Sequence, residues 1–154
     1  MRGLLFRTLL LCSWLAGVSV FGATGKIIKV LPHFLDEQGR NSLAPSLYER
    51  DAYQAWLRDH PDKRVALRFD IQWKDKAPVW EALKLRLELR GIAGGELPKE
   101  LTIEQEVAPC AHFSKWSPVL LAGEQYKEFG DVTAWRATLW EGDTLLSEQK
   151  SFLW

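Results

Sequence analysis

The sequence predicts an all-β chain folded as a two-layer antiparallel sandwich of about seven strands, with one helix in an early crossover. Three observations carry that reading. Val65, Leu67, Phe69, Ile71 and Trp73 alternate with Ala66, Arg68, Asp70, Gln72 and Lys74, the period of two that gives a strand one dry and one wet face. Leu83, Leu85, Leu87 and Leu89 repeat the pattern against Lys84, Arg86, Glu88 and Arg90. Such one-sided alternation belongs to antiparallel sheets. Turn residues then recur about every 8–12 positions, the spacing of a sandwich.

The first residues stand apart from this pattern. Met1-Arg2 and Arg7 make a positive start, Thr8 to Phe21 is apolar and uncharged, and Gly22-Ala23 are small. That is the layout of a secretory signal peptide over residues 1–23, cleaved after Gly22 or Ala23. An uncleaved anchor is the rival, but the uncharged run from Thr8 to Gly25 is 18 residues, at the short limit for a span. Leu9-Leu10-Leu11 precede Cys12 where a lipoprotein signal needs small residues. The expectation is a periplasmic or secreted protein, free of the membrane after cleavage, with a single domain over 24–154. Losing Arg2 and Arg7 lowers the basic count from 20 to 18, against 20 acidic residues. That balance argues against a polycation built for nucleic acid. Cys110 is left as the one cysteine, so no intrachain disulfide forms, and a buried thiol is expected.

Lys26 to Val30 reads as a first strand, stopped by Pro32. Residues 36–45 are loop, with Gly39, Asn41, Ser42 and Pro45. Ser46-Leu47-Tyr48-Glu49 is a capping box that starts a helix over 47–58, and Pro61 closes it. Tyr48, Ala52, Ala55 and Trp56 fall on one helical face, the face expected to pack on a sheet edge. After the two alternating strands and a glycine-rich loop over 91–98, Leu101, Ile103, Gln105 and Val107 continue the sheet. Val119 to Leu121 is a short strand, Gly123 a turn, and Gln125 to Phe129 a local pairing. Thr133 to Trp140, the turn Glu141-Gly142-Asp143 and a strand from Thr144 to Trp154 close the chain as a hairpin. The outward Arg68, Lys84, Arg86 and Arg90 face Asp70, Glu88, Glu104 and Glu106 across strands, a mutually neutralising surface rather than a binding patch.

Leu120-Leu121-Ala122-Gly123-Glu124-Gln125-Tyr126 resembles the tyrosine corner of fibronectin type III domains, Leu-x-Pro-Gly-x-x-Tyr, with Ala122 in the proline position. The strand pattern as a whole resembles immunoglobulin-like and fibronectin type III sandwiches. Lys29 to Pro32, Ser46 to Gln54, Ala134 to Arg136 and Ser151 to Trp154 are also similar to small exported bacterial proteins without an assigned activity. That resemblance implies export and brings no catalytic residue.

Signals for chemistry are sparse. Cys110-Ala111-His112 places a thiol and an imidazole two apart, on one face if extended, but no orienting group accompanies them. His33, His60 and His112 lie in separate segments without metal-ligand spacing, and no phosphate, dinucleotide or hydrolase motif appears. No catalytic residue, metal or cofactor is therefore assigned. The aromatic surplus is the remaining signal. Trp56, Trp73 and Trp135 fall on core faces; Trp80 and Trp116 lie in loops or at strand edges; Trp140 shares a face with Arg136 and Thr138, where the helix is expected to cover it. Trp154 either completes the core or meets a partner. The expected function is non-catalytic recognition of another envelope or extracellular protein, with Trp80, Trp116, Trp140 and Trp154 as candidate contacts. The alternative is a carbohydrate-binding module that stacks a glycan on Trp80, Trp116 or Trp140, and the remote one a cysteine-dependent enzyme.

Overall fold

The alternating runs pair into two antiparallel sheets. In the computed structural model, which describes residues 25–75, 82–94, 97–110 and 113–154, the strands are β1 (Gly25–Leu35), β2 (Ala66–Asp75), β3 (Leu83–Ala93), β4 (Leu97–Val107), β5 (Lys115–Ala122), β6 (Asp131–Glu141) and β7 (Thr144–Lys150). One sheet has the order β1-β2-β5 and the other β4-β3-β6-β7. The fourth strand thus joins the sheet of β3, β6 and β7, where constant-type immunoglobulin domains place it with the first, second and fifth. The architecture is the immunoglobulin-like sandwich that the alternation predicts. The expected signal peptide, Trp80 and His112 lie outside the described residues.

Both inner faces are greasy for the reason read from the sequence. Leu67, Phe69, Ile71 and Trp73 of β2 meet Leu83, Leu85, Leu87 and Leu89 of β3, all at most 5% exposed. Each such side chain contributes about 1.5–3 kcal/mol by leaving water. Trp73 is fully buried, and its indole N–H donates to Ser117 Oγ at 2.9 Å, which removes the cost of burying that donor. Trp135 meets Phe69 edge-on, ring centroids 6.3 Å apart. Val65 departs from the expected row: it precedes β2 and is 39% exposed.

Strand ends differ from the sequence reading where edges matter. Pro32 does not stop β1, which runs on to Leu35. β1 is an edge strand, and the Phe34 N–H points away from β2 toward Gln54, so the Pro32 nitrogen two residues earlier faces the same unpaired side. The glycine-rich loop shrinks because β3 continues through Gly91 with a bulge after Arg90. A β-carbon on Gly91 would come within 2.5 Å of the Phe129 ring, so glycine is what admits that ring. Gln105 is exposed, since β4 is an edge strand of the second sheet. Residues 125–129 do not pair: they lie in α2 (Gly123–Phe129), which ends at Gly130 with φ 80° and ψ −151°, a conformation open essentially to glycine. Tyr126 therefore occupies the connection where a tyrosine corner belongs, but on a helix, with its hydroxyl interacting with Arg64.

The closing hairpin forms with Gly142 at φ 54°, yet its second strand stops at Lys150. Trp154 N–H donates to the Ser151 carbonyl at 3.2 Å, which turns the chain and leaves Phe152 and Leu153 at 100% and 71% exposure. The first helix, α1 (Leu47–Asp59), starts where predicted, although Ser46 Oγ accepts from the Glu49 N–H only at 3.5 Å. At its other end Arg64 donates to the Leu57 carbonyl and lies 4.4 Å from the centre of the Phe34 ring, pinning the last turn to the sandwich.

Candidate functional site

The face of α1 that packs is not the apolar stripe but the side that carries Gln54 and Leu57. Gln54 is 6% exposed and Leu57 fully buried, while Tyr48, Ala52, Ala55 and Trp56 turn to solvent, Tyr48 at 80% and Trp56 at 41% exposure. This reverses the sequence expectation, and the reason is the sheet edge beneath the helix. An edge strand offers unpaired backbone groups, which an apolar stripe cannot satisfy. Gln54 satisfies them: its Oε1 accepts from the Phe34 N–H at 2.8 Å, and its Nε2 donates to the Phe34 carbonyl at 2.9 Å and to the Asn41 carbonyl at 2.9 Å. The side chain stands in for a neighbouring strand.

A second network locks the loop before α1 to its outer side. Asp36 accepts from the backbone N–H groups of Gln38 and Arg40, from Arg40 Nε at 2.8 Å and from the Tyr53 hydroxyl at 2.7 Å. Burial opposes the charge on Asp36, but these bonds outweigh it and hold the carboxyl below its ordinary value. Tyr53 stacks on Trp56 with centroids 5.6 Å apart, and Trp56 stacks on His60 at 4.4 Å, while His60 Nδ1 lies 2.8 Å from the Trp56 carbonyl. Loop and helix together enclose an open groove of about 480 Å³ lined by Arg40, Leu43, Glu49, Ala52, Tyr53 and Trp56. Leu43 and Leu47 add further apolar surface, at 60% and 67% exposure.

A smaller cleft of about 320 Å³ opens over the outer face of the β1-β2-β5 sheet. Leu31, His33, Asn41, Arg50, Asp70 and Trp116 line it. Strand register builds it: Leu31 pairs with Asp70, His33 with Arg68 and Gln72 with Trp116. His33 Nδ1 lies 3.0 Å from Asp70 Oδ2, and Arg68 Nε lies 3.0 Å from Asp70 Oδ1. Desolvation raises the Asp70 carboxyl, and the bonds from His33 and Arg68 bring it below its usual value. Since an ionised carboxylate only accepts, His33 Nδ1 is the donor of that bond.

The four tryptophans singled out in the sequence do not converge. Trp80 lies outside the described residues. Trp116 is 46% exposed in the cleft. Trp140 and Trp154 sit on the other sheet, half-buried, and arginines cover them in place of the expected helix. Arg86 lies 4.9 Å from the Trp140 ring, and Arg90 lies 4.1 Å from that of Trp154. Trp140 Nε1 is bonded to Thr138 Oγ1 at 2.9 Å. Around them runs a neutralising lattice: Lys84 and Arg86 meet Glu104 as the sequence led one to expect, while Arg90 turns to Glu100 and Arg136, not named in that reading, takes Glu88 and Glu148. Trp56, assigned to the core, is the exposed ring of the groove.

Cys110 is half-buried, and its thiol donates to Asp75 Oδ1 at 3.2 Å while its backbone N–H donates to Asp75 Oδ2 at 3.0 Å. Burial and the neighbouring carboxylate push the thiol up, against thiolate formation. Among the described residues no group of three His, Cys, Asp or Glu side chains is placed to hold a metal ion. No described helix is long and apolar enough to cross a membrane.

No protein-family model and no curated protein matches the chain. Among solved structures, an immunoglobulin-like protein from Pseudomonas aeruginosa is similar over 84% of this chain and 97% of its own, at 14% identity and a TM-score of 0.33. At that score the fold rests on the strand pairing described above.

Proposed function

We propose that the domain is a non-catalytic recognition module that binds another protein through the groove and outer face of α1. One observation carries this reading: the helix turns its Tyr48, Ala52, Ala55 and Trp56 stripe to water, although the sandwich core is complete without it. Exposed apolar faces rimmed by polar residues are how soluble domains present binding surfaces. Trp56 is held between Tyr53 and His60, so little side-chain freedom is lost when a partner docks on it. Glu49 and Asp59 border the stripe, with Asp51 beside them paired to Arg50. The complementary occupant is a segment of a partner protein with an apolar anchor flanked by basic residues. If the amino-terminal segment directs export, that partner is an envelope or extracellular protein. The raised Cys110 thiol favours this reading over a cysteine-dependent enzyme.

The test is a photo-crosslinking amino acid at position 52, with position 102 on β4 as control, in cells that make the protein. The reading predicts one discrete adduct from position 52. Excess wild-type protein should abolish it, Trp56→Glu protein should not, and the partner peptide should carry Lys or Arg beside an apolar residue. Equal adducts from both positions, or competition by Trp56→Glu as strong as by wild type, would overturn it.

A further inference from the structure

We propose that the cleft on the outer face of the β1-β2-β5 sheet binds a single neutral hexopyranose ring, with Trp116 as its stacking wall. This site is separate from the α1 groove and does not rest on the protein-recognition reading. Its volume of about 320 Å³ lies at the bottom of the range of ligand pockets, about 300–1,000 Å³. One ring fills it; a long chain does not.

The lining chemistry selects the ring. A pyranose has one face of C–H groups and a rim of hydroxyls that both donate and accept. Trp116 offers an apolar plane: among the described residues no aromatic ring or guanidinium covers it, unlike Trp140 and Trp154. Leu31 adds apolar surface opposite, one strand beyond β2. For the rim, Asp70 is an ionised acceptor, fixed by His33 and Arg68. His33 Nδ1 donates to Asp70, which leaves Nε2 for a rim hydroxyl. Arg50 donates to Asp51 through Nε and Nη2 and keeps its remaining N–H groups as donors, and Asn41 adds an amide that both donates and accepts. Asn41 is itself held in place, because Gln54 bonds its carbonyl. Asp70 is paired with Arg68 and Arg50 with Asp51, two carboxylates against two guanidiniums, so these groups leave no net charge for a charged ligand to answer. Both kinds of planar group suit vicinal hydroxyls.

The experiment follows the indole N–H signals of the purified protein by NMR during titration with methyl α- and β-glycosides of glucose, galactose, mannose and N-acetylglucosamine, and with glucuronate. The proposal predicts a saturable shift of the Trp116 signal with at least one neutral glycoside, with affinity in the millimolar range. The signals of Trp140 and Trp154 should not move. Read from the backbone amide signals of His33 and Asp70, which every variant keeps, Trp116→Ala should weaken binding by about tenfold or more and Asp70→Asn by about fivefold, whereas Trp116→Phe should retain it. An unchanged urea midpoint in Trp116→Ala, with binding retained in Trp116→Phe, shows that the loss reflects the ring rather than the fold. Trp56→Glu should bind the sugar as wild type does, which separates this site from the groove. Comparing a monosaccharide glycoside with an oligosaccharide ending in the same ring shows whether the source is a free sugar or a polymer end, and either supports the proposal. No shift with any neutral glycoside, a shift with glucuronate alone, or affinity undiminished in Trp116→Ala would overturn it.

Discussion

Gln54→Leu isolates the contact that orients α1. Leucine keeps the stem and nearly the same volume, so the cavity term is small. What it removes are three bonds, to the Phe34 N–H, the Phe34 carbonyl and the Asn41 carbonyl. A buried backbone group that loses its partner costs about 1–3 kcal/mol. The Phe34 groups sit at a sheet edge where water regains partial access, which discounts the sum to about 2–4 kcal/mol for the three. Gln54→Glu is a sharper companion: its carboxylate still accepts from the Phe34 N–H but cannot donate to either carbonyl, and it brings a charge to a site 6% exposed. It should lose at least as much. Urea unfolding measures both, with an unchanged m value showing that the unfolded state is not the cause. Amide hydrogen exchange supplies the local signature, because the Phe34 N–H should lose protection while core amides such as that of Leu87 lose only the global increment. A Gln54→Leu midpoint within about 0.5 kcal/mol of wild type, with Phe34 protection intact, would refute the strand-mimic account.

Other consequences follow from the same geometry. Gly130→Ala should destabilise by about 3 kcal/mol or more in urea, because its backbone sits in a glycine-only region and a β-carbon would overlap the Ile92 carbonyl; a change below about 1 kcal/mol would contradict the placement. Asp36 has a folded pKa below the ordinary carboxylate value, so its contribution is present above that value and disappears as pH falls through the lower folded pKa. Asp36→Asn should therefore be less stable than wild type at neutral pH, with the gap closing below about pH 4; a gap independent of pH would contradict the sign. The Cys110 thiol should react with iodoacetamide more slowly than a free cysteine, with the rate rising only above the ordinary thiol pKa. Labelling as fast as a small-molecule thiol would restore the enzymatic reading.

What could be read from the sequence, and what could not, follows from how far each signal reaches. β2, β3 and β6 were legible because each has one face in a shared core, and burial imposes its period directly on the residues. The helix was legible in position, since Ser46 and Pro61 act on their own neighbours. Its orientation was not, because hydrophobicity assumes an apolar floor and the floor here is the unpaired backbone of β1. Gln54 opposite the apolar stripe was the available signal: the helix's one amide, set among the charged Arg50, Asp51 and Arg58, where nothing local marks it as the residue to be buried. Pro32 was misread for the same reason, as nothing local announces which strand becomes an edge. For the tryptophans the missing information was long-range. Arg90 reaches Trp154 from a strand sixty-odd positions earlier, and only the assembled sheet brings that cover into place. The cleft was half visible: Asp70 faced outward by alternation, while His33 and Trp116 needed the register of β1 and β5 on β2.

Hydroxyl-radical footprinting of the purified protein reads the exposure of each aromatic side chain directly. If the sandwich is complete without the apolar side of α1, Tyr48 and Trp56 will be oxidised rapidly while Trp73 and Phe69 stay silent, as their exposures of 80%, 41%, 0% and 0% require. Tyr48 and Trp56 as protected as Trp73 in the free monomer would mean that the helix turns its greasy stripe inward, and the recognition surface would not exist.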